Sequence, residues 1–522
     1  MKTQNLALFL VFGALAACTA PGPRESVDVL IRGGTIYTGV AAPFTGDVAV
    51  SGDRIAAIGP GLPFQAKRII AAKGMIVAPG FIDPHTHLDE QLLSEDARTR
   101  LVPGFLMQGV TTAFIGNDGR GNADIAKVLG SAARKPVGIN YAVYLGLGDV
   151  RTKVIGLANR APTPEELARM RSMVATSMCE GSLGLSTGLF YAPQSYATTA
   201  EVSALAREAG MRGGTYDSHI RDESSYTVGL AAAVDEALSI GREGRLPVNI
   251  SHIKALGVDV AGQAPAIIAK VEAARRAGQA VTADQYPWSA SGTGLVASLV
   301  PLWAQEGGRP ALLQRLADAA LAARLRTDMR ENLRKRGGPA ALLITQGDPK
   351  GRTLADLATR HGGDAVAAAL AVIRVQDPPV ASFSQSEDDI VAFMRRPWVM
   401  TGSDASPGHP RAYGSFARKY RKYVVEEQVL SLTDFIHRSS TLAADTFKLE
   451  GRGRLQPGAF ADLIAFDPKR YASRAAYEQP TLLAAGVRTV LVNGVVAVDN
   501  GKLTGNAAGR ALPHRPTPGS CP

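Results

Sequence analysis

Two histidines separated by a single residue are the first side chains in the sequence that could carry out chemistry. His85 and His87 lie in the stretch GFIDPHTHLDE, directly after a short apolar run. In an extended backbone, residues two apart point to the same side, so both imidazoles can reach one ion. Alone, such a pair is weak evidence, because the alternative is a polar strand end without a metal. The pair raises the question of a metal site without answering it.

Three further side chains follow later apolar runs in the same way. His219 ends the stretch TYDSH, His252 ends NISH, and Asp404 ends MTGSD. Four of the eight histidines in the chain therefore fall at predicted strand ends, together with one aspartate. Neutral imidazoles and a carboxylate are the ligands of a catalytic zinc, which keeps one position open for water. The combined pattern predicts a metal site.

The predicted ligands indicate hydrolysis by a metal-activated hydroxide. A divalent ion lowers the pKa of its bound water from ~15.7 toward ~7 and polarises an amide carbonyl for attack. Asp404, beside that water, is well placed to accept its proton and to deliver it to the departing amine. Neither a serine-nucleophile elbow nor a P-loop occurs in the right strand context. Asp404 is therefore the predicted catalytic base and acid.

The middle of the chain has the pattern of a parallel α/β barrel, since eight apolar runs alternate with helical segments. The runs are MIVAPGFID, VTTAFIG, VGINYAVYLG, SLGLSTGL, GGTYDSH, PVNISH, AVTADQYP and WVMTGSD. We predict a barrel over residues 79–451. The long spacing before the last run predicts an inserted subdomain over about residues 295–395. This subdomain is either a lid over the barrel mouth or a neutral addition.

Short strands separated by glycine turns flank the predicted barrel on both sides. Residues 26–78 and 452–508 share this texture, which predicts one small β-sandwich assembled from both ends of the chain. The predicted fold class is therefore α/β, a TIM-like (β/α)8 barrel with a composite β-sandwich and an inserted subdomain before the last barrel strand.

Residues 1–18, MKTQNLALFLVFGALAAC, have the layout of a secretory signal. The segment Leu15 to Cys18 resembles a bacterial lipobox, in which the cysteine becomes the lipidated first residue. The alternative is a plain signal peptide with an incidental cysteine. We therefore expect a periplasm-facing lipoprotein of the cell envelope, or a protein secreted to the periplasm, with membrane contact only through a lipid anchor at Cys18.

The two remaining cysteines are not expected to form a disulfide. Cys179 precedes an apolar strand pattern, whereas Cys521 is next to last in a proline-rich tail. The net charge of +10 is spread along the chain, and its densest cluster, residues 418–422, is short. This distribution favours a solvated basic surface over nucleic-acid binding.

The ordered series of ligands resembles the amidohydrolase superfamily. Five stretches are similar to its N-acyl-D-amino-acid deacylase (D-aminoacylase) branch: GSLGLSTGLFYAP, SHIRDE, SHIKALG, DQYPW and GSDASPGHPRAYGSF. The similarity covers nearly the whole chain after the signal. It implies that one metal is bound by His85, His87 and Asp404, and that another, tighter one is bound by His219 and His252.

The same resemblance implies four substrate-binding residues. Lys254 and Arg411 would grip the carboxylate of the substrate amino acid, which suits a charged and planar partner. Tyr286 would donate a hydrogen bond to the scissile carbonyl oxygen, and Tyr191 would line the pocket. The alternatives are ordinary surface cations and packing aromatics.

One departure from the family pattern concerns the metals. The second strand of the deacylase branch ends in a cysteine that bridges or ligates the metals, whereas GNDG here offers Asn117 and Asp118. Asp118 could replace the thiolate as a hard oxygen ligand, weakening a soft interaction with zinc and admitting another divalent ion. The fourth strand ends in LSTGL and lacks the lysine that many relatives carboxylate as a bridge. One or two divalent ions, with zinc as the first candidate, are expected.

These observations predict hydrolysis of the amide bond of N-acyl amino acids, with the D series favoured by the resemblance. Small-molecule alternatives are a dipeptide or another linear amide. The missing bridging lysine and the pair Lys254 and Arg411 disfavour a cyclic amide. A non-catalytic binding lipoprotein of the envelope is the alternative from another class, and the presence of every predicted ligand argues against it.

Overall fold

The structure is a computed structural model that describes residues 26–521. The predicted signal and Cys18 lie outside the described residues. The strands are β1 Ser26–Ile36, β2 Phe44–Ser51, β3 Arg54–Gly59, β4 Gln65–Ala71, β5 Ile76–Pro79, β6 Phe81–Asp83, β7 Val110–Ile115, β8 Asn140–Val143, β9 Leu145–Gly146, β10 Gly184–Gly188, β11 Thr215–His219, β12 Val248–Ile250, β13 Val281–Gln285, β14 Ala290–Gly294, β15 Leu342–Ile344, β16 Pro379–Phe383, β17 Val399–Thr401, β18 Leu463–Phe466, β19 Val487–Val492, β20 Val495–Asp499 and β21 Lys502–Leu503.

The helices alternate with the strands through most of the chain. They are α1 Asp89–Leu92, α2 Pro103–Leu106, α3 Ile125–Arg134, α4 Leu147–Val154, α5 Pro164–Cys179, α6 Thr199–Met211, α7 Leu230–Gly244, α8 Ala264–Arg276, α9 Leu295–Leu299, α10 Leu302–Gln305, α11 Gly308–Ala317, α12 Ala319–Lys335, α13 Leu354–Ala358, α14 Ala365–Val375, α15 Glu387–Met394, α16 Arg411–Arg418, α17 Leu432–Ser439 and α18 Thr441–Thr446. A π-helical segment, Lys419–Glu426, extends α16.

Parallel strands from each of the eight predicted runs surround the centre of the molecule. One sheet has the order β6-β7-β8 and a second has the order β17-β13-β12-β11-β10-β9. The first and last strands are joined just past their ends, where the Asp404 amide donates to the His85 carbonyl at 2.9 Å. An isolated parallel bridge between Thr86 and Ala405 continues this contact. The mixed α/β architecture is consistent with a TIM barrel.

The crossover helices begin at side-chain caps and bury one face against the strands. The Thr163 hydroxyl accepts from the Glu166 amide at the start of α5, and Thr198 caps α6 in the same way. Such caps satisfy amide donors that have no partner within the helix. Val202 of α6 and Val234 of α7 are buried in the same apolar cluster as the barrel strands. The α/β alternation is thus fixed by caps at the helix starts and by a shared core.

A nine-stranded sheet contains strands from both ends of the described chain. Its order is β21-β20-β19-β18-β5-β1-β2-β3, and β4 pairs with β1. The run MIVAPGFID, predicted as one strand, is split at Gly80 between this sheet and the barrel. A Cβ at Gly80 would lie 2.3 Å from the Thr111 hydroxyl oxygen, so only glycine fits this close approach. The Gly80 amide bonds to Asp462, which ties the two sheets together.

The chain between β13 and β17 has a hydrophobic cluster of its own. Strands β14, β16 and β15 form an antiparallel sheet in that order, and helices α9 to α14 pack beside it. The cluster runs from Leu295 to Val380 and is separate from the barrel core. Separate cores are typical of separately folding units. The subdomain limits of about 295–395 stay a prediction.

The basic cluster at residues 418–422 is not entirely the solvated surface expected from the sequence. Lys419 is fully buried, and its ammonium has no hydrogen-bond partner among residues 26–521. Burial lowers the pKa of Lys419 to about 7, with Arg438 acting in the same direction and Asp284 opposing. Arg418 lies over the Trp288 ring at 4.5 Å. The amphipathic helix turns these cations inward, which a one-dimensional charge count does not detect.

The C-terminal tail packs against strand β8 and the loop before strand β10. The amides of Leu512 and His514 donate to the carbonyls of Tyr141 and Gly181 at 2.8 and 2.9 Å. These hydrogen bonds make the tail part of the folded body.

Between residues 26 and 521, no helix is long and apolar enough to cross a membrane.

The expectation of no disulfide was wrong, because Cys179 and Cys521 are bonded to each other. Cys179 is the last residue of α5, and the tail passes the neighbouring Gly181 before reaching it. The two cysteines are 342 residues apart in the sequence. No local pattern encodes a contact at that distance, so the sequence alone does not indicate the pairing.

Replacing Cys521 by serine should lower the free energy of unfolding by about 2–4 kcal/mol, because the unfolded chain regains the freedom of a long closed loop. Urea denaturation of the protein without its first eighteen residues measures the change. The reductant dithiothreitol should destabilise the wild type and leave Cys521→Ser unaffected. Equal sensitivity of both proteins to the reductant would contradict the assignment.

Candidate metal centre

The four histidines predicted as ligands meet at the carboxyl ends of the barrel strands. His85 and His87 follow β6, His219 ends β11, and His252 follows β12. The rings of His85 and His252 are 4.7 Å apart between centroids, and those of His252 and His219 are 4.5 Å apart. All four are buried or nearly so, the His87 side chain being 13% exposed. The sequence therefore identified side chains that share one site.

Asp118 lies at the centre of this cluster. Its carboxylate oxygens are 3.4 Å from His85 Nε2, 3.3 Å from His87 Nε2 and 3.3 Å from His252 Nε2. His219 Nδ1 is 3.6 Å away. Since each histidine pair faces this single carboxylate, Asp118 is positioned between the two pairs. That is the place of a ligand able to touch two ions.

Asp404 completes the cluster on the side of the HxH pair. Its Oδ1 atom is 3.3 Å from His87 Nε2, and its Oδ2 atom is 2.7 Å from Arg411 Nη1. Burial opposes ionisation of Asp404, but Arg411 and His252 hold its pKa below the usual range. The carboxylate is therefore charged at neutral pH, with one oxygen directed to Arg411 and the other to His87.

The donor atoms fit a divalent cation. Both ring nitrogens of His85 and of His219, and Oδ1 of Asp118, have no hydrogen-bond partner among the described residues. Unsatisfied buried polar atoms are costly, so several in one place indicate a missing partner. Although burial opposes a charged imidazole, Asp118 and Asp284 raise the pKa of His85 to about 9. The local field thus favours positive charge at this position.

Three of the site residues have strained backbone conformations. Asp118, His252 and Asp404 have φ values of 57°, 35° and 48° and belong to the nine described non-glycine residues with positive φ. Each such conformation costs on the order of 1–3 kcal/mol and tends to cluster at functional sites. The surrounding structure must therefore hold these three backbone conformations in place. The Asp284 carboxylate does so for His252, because it accepts from the His252 amide at 3.0 Å.

A layer of buried polar side chains supports the cluster from within the barrel. The Asp217 carboxylate accepts from Asn117 at 3.1 Å and from Ser251 at 2.8 Å. Asn249 donates to both Asp217 and Asp284 at 3.0 and 2.8 Å. A fully bonded network of this kind holds its members rigidly. Asn117, which the stretch GNDG offers together with Asp118, therefore supports the site without pointing into the histidine cluster.

Glu223 is a site residue that the sequence reasoning missed. Its Oε1 atom is 3.0 Å from His252 Nδ1 and 2.5 Å from Lys254 Nζ. Burial opposes ionisation of Glu223, yet Lys254, His219 and His252 hold its pKa below the usual range. The signal was present, because Glu223 stands four residues after His219 in SHIRDE. The predicted substrate cation Lys254 is therefore already paired.

The cavity beside the cluster brings most of the predicted substrate residues together. Tyr191, Lys254 and Arg411 line it with His87, His219 and His252. The Tyr191 ring lies 4.8 Å from that of His219. Tyr286 packs beneath Arg411, at 4.9 Å from its guanidinium carbon, and its hydroxyl accepts from Gln385 at 3.0 Å. Tyr286 is thus next to the cavity, and its role stays a prediction.

Comparison with known proteins gives the same architecture. The amidohydrolase family profile matches residues 68–498. The chain belongs to the amidohydrolase family. It is 33% identical to the D-aminoacylase of Alcaligenes xylosoxydans xylosoxydans, covering 94% of this chain and 98% of that protein. It is also 33% identical to the N-acyl-D-glutamate deacylase of the same organism, covering 90% and 93%.

Solved structures agree with these relatives. A D-aminoacylase crystal structure superposes with a TM-score of 0.80 at 31% identity, covering 94% of this chain and 100% of that one. The N-acyl-D-glutamate deacylase of Bordetella bronchiseptica, complexed with zinc and a phosphonate inhibitor, gives 0.79 at 32% identity over the same shares. In this amidohydrolase, the central position between the histidine pairs is occupied by Asp118.

Asp118→Asn should reduce bound divalent metal to well below the wild-type content, because the amide lacks the negative charge that all four histidines face. Asp118→Cys should retain metal and bind zinc in preference to manganese, since a thiolate is a softer ligand. Elemental analysis after dialysis against equimolar zinc and manganese measures both effects. Asp388→Asn, an exposed carboxylate on α15, is the control. Wild-type metal content in Asp118→Asn would refute the central role.

Proposed function

We propose that this amidohydrolase cleaves the C–N amide bond of N-acyl amino acids, and of the D series in particular, with bound divalent metal. The observation that carries the proposal is the cluster of four histidines around Asp118, with Asp404 beside it and an open cavity against it. The D-aminoacylase and the N-acyl-D-glutamate deacylase that the chain resembles along most of its length support the same reaction.

Two ligand groups would hold the metal. His85, His87 and Asp404 form one group, His219 and His252 form the other, and Asp118 contacts both. Zinc is the first candidate, because the related Bordetella deacylase was solved with zinc. When bound, a divalent ion polarises the amide carbonyl and increases the acidity of water.

The remaining chemistry belongs to the side chains of this protein. Asp404 accepts a proton from the attacking water at Oδ1 and returns it to the departing amine. Arg411 holds the other oxygen of Asp404 at 2.7 Å and so fixes the direction of that carboxylate. Lys254 Nζ and Glu223 Oε1 both lie beside His252 Nδ1, at 2.7 and 3.0 Å, and so hold the ring with its other nitrogen toward Asp118. Arg411 and Lys254 present positive charge to the substrate carboxylate.

The finer architecture and the location are part of the proposal. The nine-stranded sheet forms the composite β-sandwich of residues 26–78 and 452–508, and residues of about 295–395 form a subdomain over the cavity. Arg336, Thr345 and Val380 from this region line the cavity, which supports the lid interpretation. The signal-like sequence and Cys18 support a lipid-anchored envelope protein, and the disulfide suits an oxidising compartment.

Amine release from paired N-acetyl-D- and N-acetyl-L-amino acids and from matching dipeptides tests the function. Metal-dependent release from the D series alone is the expected result. Release only from dipeptides would indicate that the enzyme is a peptidase. Release only from the L series would indicate the opposite stereochemical preference. No release from the entire panel, with metal bound, would refute the proposal.

Asp404→Asn should lower kcat by about 10²–10⁴-fold, because the amide cannot accept the proton. Steady-state kinetics at saturating metal, with the metal content of the variant measured in the same samples, provide the test. Asp388→Asn is again the matched control. Turnover by Asp404→Asn at the wild-type rate would exclude Asp404 as the base.

A further inference from the structure

A second cavity lies next to the cavity at the histidine cluster, which is called the metal cavity below. Phe190 and Tyr226 line both cavities and form the wall between them. The second cavity has a volume of about 330 Å³, against about 140 Å³ for the metal cavity. Binding pockets for small molecules typically have volumes of about 300–1,000 Å³. The second cavity therefore has the size of a binding site, and the proposed reaction does not use it.

Apolar side chains from the segment of α9 and α10 form one side of the second cavity. They are Ala297, Val300, Pro301, Leu302 and Trp303. Trp303 is held in place, because its indole N–H donates to Asp328 at 2.8 Å and the Arg324 guanidinium lies over its ring at 4.3 Å. Apolar surface that lines a solvent-filled space gains free energy when another apolar group covers it. This side of the cavity therefore suits an apolar ligand.

The polar side chains of α12 at the second cavity are already bonded within the protein. Besides the aspartate bonded to the indole, Glu331 is paired with an arginine of the same helix at 2.8 Å. Asn332 donates to the Leu299 carbonyl at 3.0 Å, and Lys335 donates to the Ser225 carbonyl at 2.7 Å. Because these groups have partners, a polar ligand would have to break existing bonds. The α12 side thus gives no advantage to a polar ligand over an apolar one.

The wall between the two cavities consists of two aromatic rings. The centroids of Phe190 and Tyr226 are 5.7 Å apart. The Tyr226 hydroxyl has no hydrogen-bond partner among residues 26–521, and its ring packs against Lys335 and Arg336, each at 5.5 Å. Rotation of either ring would therefore open a passage without breaking a side-chain hydrogen bond.

The proposed binding mode directs the acyl group of the substrate toward this wall. Lys254 and Arg411, which would bind the carboxylate, both lie beside Tyr286, at 5.6 and 4.9 Å from its ring. Phe190 stacks on the His219 ring at 5.7 Å, beside the other histidine pair. The amide bond lies between the carboxylate and the acyl tail of the substrate. With the amide at the metal cluster, the tail points toward Phe190 and the second cavity.

We propose that the second cavity binds the tail of a long alkyl acyl group, so that the preferred substrates are N-acyl amino acids whose acyl chain extends beyond the metal cavity. The inference rests on the proposed function and specifies its substrate class. Hydrolysis adds water across the amide bond and releases the free amino acid and a fatty carboxylic acid. Each methylene that becomes fully buried increases binding about fourfold, so a long chain gains strongly from an apolar site.

A series of N-acyl-D-leucines tests the second cavity in the wild type. The acetyl, butyryl, hexanoyl, octanoyl and decanoyl compounds differ only in chain length, and each is used below the concentration at which it forms micelles. The kcat/KM of the decanoyl compound should exceed that of the acetyl compound at least about tenfold, which is less than the gain from two fully buried methylenes.

Leu302→Asn should lower the ratio of kcat/KM for the decanoyl to the acetyl compound about fourfold or more, because an amide of similar size replaces an apolar wall. Leu302 is half-buried and lines the second cavity but not the metal cavity. The acetyl compound should therefore be cleaved with nearly the wild-type kcat/KM. Leu157→Asn is the matched control, since Leu157 is 41% exposed and does not line the second cavity.

Two results would overturn the inference. The first is a wild-type kcat/KM that stays level from the butyryl to the decanoyl compound, and this result needs no variant. The second is an unchanged ratio, or an equal loss on the acetyl and decanoyl compounds, in Leu302→Asn with wild-type thermal stability. Cleavage of the acetyl compound by the wild type in either case leaves the proposed function intact.

A protein that cleaves no member of the series fails the proposed function, and binding then tests the second cavity independently. Calorimetric titration with N-decanoyl-D-leucine and N-acetyl-D-leucine compares the wild type with Leu302→Asn. Tighter binding of the decanoyl compound by the wild type, with a smaller difference in the variant, supports the apolar site. Equal affinities for the two compounds in the wild type contradict it.

Discussion

The buried carboxylate of Asp118 among four imidazoles is the interaction on which the site depends. Taking a charged group out of water is expensive unless opposite charge and hydrogen bonds compensate for it. Here the compensating groups are the nitrogens of His85, His87, His219 and His252, and Oδ1 of Asp118 still has no hydrogen-bond partner among the described residues. A cation between these groups satisfies them together, which explains why so many donors converge on one point.

The fold provides the rigidity that this arrangement requires. The carboxyl ends of parallel strands bring residues from distant parts of the sequence to one edge of the sheet. The contact between the first and last strands holds His85 beside Asp404 through a backbone hydrogen bond. Beneath this contact, the Asp217 and Asp284 carboxylates accept hydrogen bonds from asparagine and serine side chains. Asp284 also accepts one from the backbone amide of His252, a residue with a strained backbone. The energetic cost of the strained backbone at His252 is thus offset by a bonded network.

Metal-binding side chains that follow predicted strands could be identified from the sequence, whereas contacts between distant segments could not. His219, His252 and Asp404 follow apolar runs, and the barrel pattern alone predicts that they meet. Glu223 belongs to the motif SHIRDE, but only the folded structure shows that Lys254 is its partner. The pairing of Cys179 with Cys521 and the position of Arg336 at the cavity depend on the path of the tail and of an inserted helix. Neither path has a local signature.

The most direct measurement is an anomalous difference map from crystals grown with zinc, recorded on both sides of the zinc absorption edge. If Asp118 is the central ligand, zinc peaks should contact its carboxylate and at least one of the two histidine pairs. Zinc bound only elsewhere, or bound to the histidines without Asp118, would contradict it.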